Sequence, residues 1–275
     1  MKAALLRFAR NRMALVGAAV LLCLLALVIL CPLLFPNDPF RLVGPPLQPP
    51  GGRYLLGTDT LGRDVAAGIA YGARTSLLIG VGATLAAILF GTIVGGLAGY
   101  YRGVPDVVLM RLTEFFQTIP AFILAILIVA ILSPSVPSEI IAIAAVSWPG
   151  IARLVRGEFV SLGGREFVLA CDGLGASDAR IIVRHLLPNC TSSIVAVGSL
   201  LIGTAILIES GLAFLGLGDP NVMSWGLIIS AGRAVLRSAW WICTFPGIAI
   251  LLTVLGINLV GDGLNEALNP RLRDR

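Results

Sequence analysis

The sequence holds a single lysine, Lys2, and a single histidine, His185. A Walker A loop needs a lysine on the β- and γ-phosphates, so the chain carries no such loop. One histidine excludes H-E-x-x-H metal chemistry and any multi-histidine site. G-x-S-x-G, the turn that exposes a nucleophilic serine, does not occur. Cys23, Cys31, Cys171, Cys190 and Cys243 are scattered singly, with no C-x-x-C pair, so neither a zinc site nor a disulfide framework is implied. Charge is scarce too: 13% of the residues are charged, where a soluble domain carries about 25%. That is too little to cover a water-soluble globule. It also removes the disordered, fibrous and nucleic-acid-binding classes, despite a net charge of +5. No catalytic set, resident cofactor or metal site is expected.

What is present in their place is apolar. Hydrophobic residues make up 57% of the chain, and the mean hydropathy is +0.94. The natural solvent for such a composition is a bilayer. Segments free of Asp, Glu, Lys and Arg run over 13–36, 75–101, 115–138, 140–152, 186–208 and 238–261. A helical span needs about 20 apolar residues, so five of the six qualify directly. The first follows Lys2, Arg7, Arg10 and Arg12 but is too long for a signal-peptide core, and reads as an uncleaved anchor. The fourth is short, and spans only with Glu139 near one interface and Arg153 or Arg156 snorkelling towards the other. Charge bias decides for it: six spans with a cytoplasmic N-terminus place 14 basic residues inside and 6 outside, as the positive-inside rule requires. The expected architecture is an all-α integral membrane protein with six transmembrane helices and both termini cytoplasmic. It divides into 1–74 (an anchor helix at about 13–36 and an outer segment), a membrane domain at 75–262 and a tail at 263–275.

The inside loop at about 153–185 carries the densest charge in the chain. Within it, GREFVLACDGLGASDARIIVRHLLPN (164–189) predicts two short helices broken near Gly173 and Gly175. Ser177 or Asp178 is placed to cap the second, and Pro188 to stop it. Taken alone, the segment is an amphipathic hairpin lying on the membrane. Gly91, Gly95 and Gly99 put small residues on one face of the second span, where another helix can approach closely. That helix belongs either to this chain or to a partner, with packing inside the chain the favoured reading. Pro120, Pro149 and Pro246 fall inside spans, where they kink helices or are absorbed by packing. Glu209 and Asp262, at span ends, are read as interfacial structural acids. Asp59, Arg63 and Asp64 lie outside, either docking another protein or pairing among themselves.

The hairpin resembles the EAA loop of ABC-importer permeases: Leu169-Ala170-Cys171, then Gly175, then His185-Leu186-Leu187-Pro188. The motif's glutamate and second alanine are replaced by Leu169 and Cys171. GTDTLGRDV (57–65), YGARTSLLIG (71–80), ESGLAFLGLGDPN (209–221) with SWG (224–226), and FPGIAILLTVLGINLVGDGLNEALNPRLR (245–273) are similar to signature stretches of peptide and nickel importer permeases. Together they resemble the C-type permease subunit of the dipeptide/oligopeptide/nickel ABC importers. The resemblance implies a type I importer permease fold in the bacterial cytoplasmic membrane, with lipid around it. It implies a homologous second permease subunit, two ATPase subunits that hydrolyse ATP, and an external substrate-binding protein. Glu166, Ala170, Cys171, Asp172, Gly175, Ala176, His185 and Pro188 are then the residues that couple to the ATPase. Asp59, Arg63 and Asp64 are then candidates for docking the binding protein. A peptide is the expected solute, with nickel or a metal chelate as the alternative. A lone ion-coupled transporter is the alternative of another class, and it needs ionisable groups at mid-membrane.

Overall fold

The computed structural model describes residues 8–9 and 11–268; Lys2, Arg7, Arg10 and the arginines of the tail lie outside them. Helix α1 (Arg12–Leu34) starts at Asn11, whose side chain accepts a hydrogen bond from the Ala14 N–H at 3.0 Å. Asn11 also donates to Glu266 at 2.8 Å, tying the start of the chain to its last helix. Ala14, Gly17 and Cys31 of α1 are buried and Leu21, Leu24 and Val28 pack against the core, while most of the rest of its surface is apolar and exposed.

Helix α2 (Val65–Tyr101) runs for 37 residues, about 56 Å at 1.5 Å per residue. It begins ten residues before the charge-free stretch at 75, because Arg74 sits exposed on it rather than ending it. Asp64 caps it, accepting from the Ala66 N–H at 2.8 Å.

The third and fourth spans differ from expectation. Helices α3 (Gly103–Thr118) and α4 (Ala121–Leu132) meet at an 87° bend. Pro120 causes the break: it has no N–H to continue the ladder, and its ring bars Ile119 from the helical region, leaving Ile119 extended at φ −92° and ψ 129°. Helix α5 (Val136–Gly163) is a full 28 residues, started by the Ser135 cap. The span that looked short is therefore long, and the one that looked secure is broken. Five helices are long and apolar enough to cross a membrane, and the bent pair makes a sixth span if counted as one.

Beyond α5 come α6 (Glu166–Gly173) and a continuous helical stretch over 178–214: α7 (Asp178–Ile181), a π turn (Ile182–Leu186) and α8 (Leu187–Phe214). Pro188 does not end a helix, contrary to expectation; it sits in the first turn of α8. The wider π turn, closed by the Leu187 N–H on the Ile182 carbonyl, takes up the bond and the space that a proline denies to an α turn. Helix α9 (Trp225–Gly232) leads through a 3-10 turn to α10 (Trp241–Leu268).

Glycines set the tightest packing. A Cβ on Gly91 would stand 2.7 Å from Ile151 Cβ, and one on Gly99 would stand 2.7 Å from Phe159 Cβ. On Gly95 it would run into the Ala152 carbonyl. The three glycines thus face α5 of the same chain, and α2 and α5 run side by side in the same direction.

Candidate functional site

The hairpin between α5 and α8 protrudes from one end of the bundle. One face of α6 is anchored: Val168 is buried with Val155, Phe159 and Leu162 of α5 and with Ile181, Leu186 and Cys190. Polar ties hold the surroundings. Tyr100, at the end of α2, donates to Asp178 at 2.9 Å, and Arg102 donates to the Val160 carbonyl at 3.1 Å. Arg156 grips Asp106 in a bidentate pair, with Nη2 to Oδ2 at 2.6 Å, fastening α3 to α5. Ser193 donates to Glu158 at 2.6 Å, joining α8 to α5.

The other face is free. Leu174 is 88% exposed, and Phe167 and Leu169 are exposed beside it. The tip turns at Gly175, whose φ is +75°, and its N–H donates to the Asp172 carbonyl at 2.8 Å. An added Cβ on Gly175 meets no atom within 4 Å, so backbone conformation alone calls for glycine there. Glu166, Ala170 and Asp172 are exposed on α6, whereas Cys171 and Ala176 are half-buried. Cys171 Sγ lies 3.8 Å from His185 Nε2. Pro188 stands apart from this group, at the root of α8. Ser177 occupies the cap position of α7 without a side-chain bond to it. Among the described residues, no three His, Cys, Asp or Glu side chains converge as metal ligands would. The arrangement suits a docking knob: a rigid base with apolar side chains held out into water.

At the opposite end, residues 35–64 form an irregular segment with three isolated bridges. The three charges singled out there work inside it. Asp59 accepts from the N–H groups of Leu61 and Arg63, each at 2.8 Å, and Asp64 caps α2. The Arg63 guanidinium lies 4.9 Å from the Phe40 ring centroid. Trp241 donates to the Thr58 carbonyl at 3.1 Å, seating the segment on α10.

Glu209 is not an interfacial acid. It is fully buried and accepts from Ser76 at 3.1 Å and Ser210 at 3.2 Å, while Ser76 in turn accepts from the Trp225 N–H at 3.4 Å. Glu139, read as lying near an interface, is 1% exposed and accepts from the Asp219 N–H at 3.2 Å. The two acids hold the loop before α9 onto the bundle. Asp262, by contrast, is exposed. The sequence signal for Glu139 was an acid joined directly to an apolar run, and an end-of-span reading passed over it.

Three comparisons bear on the whole chain. Residues 87–274 match the family described as "Binding-protein-dependent transport system inner membrane component". Residues 1–50 match the "N-terminal TM domain of oligopeptide transport permease C". The dipeptide transport system permease protein DppC of Alkalihalophilus pseudofirmus is 41% identical over 267 residues, covering 96% of this chain and 88% of that one. The di/tripeptide transport system permease protein DppC of Pseudomonas aeruginosa is 39% identical, covering 97% and 91%. The oligopeptide transport system permease protein OppC of Bacillus subtilis is 36% identical, covering 99% and 90%. Among solved structures, an inward-facing MetNI methionine ABC transporter chain superimposes with a TM-score of 0.63 at 18% identity, covering 74% of this chain and 96% of that one. That likeness shows the type I importer permease fold. With spans, hairpin and nearly full-length relatives in agreement, the chain belongs to the binding-protein-dependent transport system inner membrane components, as a multi-pass permease of the inner membrane.

Proposed function

We propose that this chain is the permease subunit of an ATP-driven peptide importer, and that residues 165–176 are the element through which ATP hydrolysis reaches the membrane. A homologous second permease completes the path, two ATPase subunits bind the cytoplasmic ends of the pair, and an external protein delivers the peptide. The hairpin end is cytoplasmic in this reading, in line with the inside bias of the basic residues. The observation that carries the coupling role is the exposed Leu174, 88% open to solvent on a hairpin whose other face is buried. An apolar knob on a short helix is what a groove on a partner recognises, and Arg165, Arg180 and Arg184 beside it suit an acidic rim. Closure of the ATPase pair would pull the knob, and the continuous helix over 178–214 would carry the motion into the membrane. The names of the relatives support di-, tri- or oligopeptides as the solute class. Asp59 and Asp64 act in this reading by shaping the outer segment on which the binding protein lands.

The test is reconstitution of the complete importer. Gly175→Val puts a β-branched residue at a positive φ, and Leu174→Asp removes the knob. Both are expected to leave the amount of membrane-inserted protein intact, keep ATP hydrolysis and abolish binding-protein-dependent dipeptide uptake. Normal dipeptide uptake by both variants overturns the coupling role. Uptake of nickel salts but not of dipeptides by the unaltered importer overturns the solute class.

A further inference from the structure

At the end of the bundle opposite the hairpin, a cavity of about 370 Å³ opens between the segment that follows α1, the first turns of α2, the start of α5 and the loop before α9; Asp38, Phe40, Tyr71, Arg74, Thr75 and Asn221 are among its lining residues. Its two charges are of opposite sign and are not spent on each other. Among the described residues, Arg74 has no carboxylate within 4.0 Å and no hydrogen-bond partner. Asp38 uses Oδ1 to accept from the Phe40 N–H at 2.7 Å, which fixes the carboxylate and leaves Oδ2 free. Tyr71 is held by its bond to the Phe35 carbonyl at 2.9 Å. A guanidinium prefers a phosphate, and a free carboxylate oxygen prefers an ammonium.

Below this cavity the surface is apolar. Leu78, which lines it, begins a row of exposed residues down α2: Leu78 53%, Val81 39%, Leu85 61% and Leu89 66%. Val81, one turn deeper, lines a second cavity of about 260 Å³ with Leu21, Leu24 and Leu25 of α1, Leu77 of α2 and Ile257 of α10. A largely apolar cavity that carries one charge of each sign, standing over an apolar groove, suits an anion and an ammonium a few ångströms apart, attached to hydrocarbon.

We propose that Asp38, Tyr71, Arg74 and the α1–α2 groove form a binding site for one phospholipid with an ethanolamine headgroup. Arg74 takes the phosphate, Asp38 takes the ammonium, and an acyl chain lies along Leu78 and Val81 into the groove beside α1. The bound lipid fills the seam between the anchor helix and the rest of the bundle.

Native mass spectrometry of the complete, delipidated importer tests this. Phosphatidylethanolamine, phosphatidylglycerol with the same chains, and soluble glycerophosphoethanolamine are added in turn. One phosphatidylethanolamine per copy of this chain is expected, in preference to phosphatidylglycerol. Arg74→Gln should lower its retention roughly fivefold, the scale of one basic residue at a lipid surface. Asp38→Asn should keep lipid binding but lose the preference for ethanolamine over glycerol. A phosphatidylethanolamine with a photoactivatable tail should label the segment around Leu78 and Val81. Both side chains are exposed, so these variants leave the packing untouched. Unchanged retention by Arg74→Gln, labelling elsewhere, or no retained lipid overturns the site. Competition by glycerophosphoethanolamine as strong as that of the lipid overturns the tail's part in it and assigns the cavity to a soluble ligand.

Discussion

A single atom decides the outcome at Gly95. A Cβ added there would run into the Ala152 backbone, and a main-chain carbonyl cannot swing aside as a side chain can. Gly95→Leu is therefore expected to destabilise the α2–α5 contact by about 3 kcal/mol, the upper end of the range for overpacking. The same change at Gly150, where an added Cβ meets nothing within 4 Å, should cost far less. Thermal unfolding of the two purified variants checks the contrast, and equal melting would refute it. Glu209 acts through the bonds it accepts. Glu209→Leu strands the hydroxyls of Ser76 and Ser210 in the interior, at about 1–3 kcal/mol for each unpaired group. Glu209→Gln keeps a carbonyl acceptor and should melt closer to the unaltered protein. The sequence exposed both residues but not their surroundings. Three glycines four apart announce a close approach without naming the partner helix, and an acid near a span end reads alike whether it meets water or two serines.

At the scale of elements, proline is where local rules carried part of the way. Pro120, Pro149, Pro188 and Pro246 all lie in helical runs, yet only Pro120 breaks one. Pro149 and Pro246 sit buried inside long helices that continue past them, and Pro188 is absorbed by a π turn. The bend at Pro120 has two possible supports: the ring itself, and the packing of Ala125 and Val129 against α5. Pro120→Ala removes the steric bar on Ile119, worth about 3 kcal/mol in a helix interior. Spin labels at Val108 and Leu127, both exposed, should then move apart as α3 and α4 straighten. An unchanged distance assigns the bend to packing. The hairpin was legible in more detail. Its glycine break, its first short helix and its charge follow from local rules, whereas the second helix, expected to stop at Pro188, runs on into α8. Which of its apolar residues face inward, Val168 rather than Phe167 or Leu174, depended on packing against Val155, Phe159 and Leu162 of α5.

For the whole molecule, the topology can be read by accessibility. A cysteine at Leu174 and one at Arg53, both exposed, stand at opposite ends of the bundle. In a background where the native cysteines are replaced, an impermeant maleimide added to intact cells should label the Arg53→Cys variant and spare the Leu174→Cys variant until the membrane is opened. Labelling of both from the same side would overturn the orientation. Composition alone required a bilayer: 13% charged residues cannot face water over a whole surface, and no arrangement of the chain alters that balance. Apolar runs then placed helices α1, α2, α8 and α10, since a backbone in lipid must satisfy its own hydrogen bonds and can do so as a helix wherever the run is long enough. Tertiary structure alone decided the rest. It settled that α5 is a full helix past Glu139 and Arg156, which the Asp219 backbone N–H and the Asp106 carboxylate meet from distant positions. It settled that α2 packs on α5 and that two acids are buried. Charge content is a sum over residues and survives any folding, whereas the environment of a charge depends on which other segments arrive beside it.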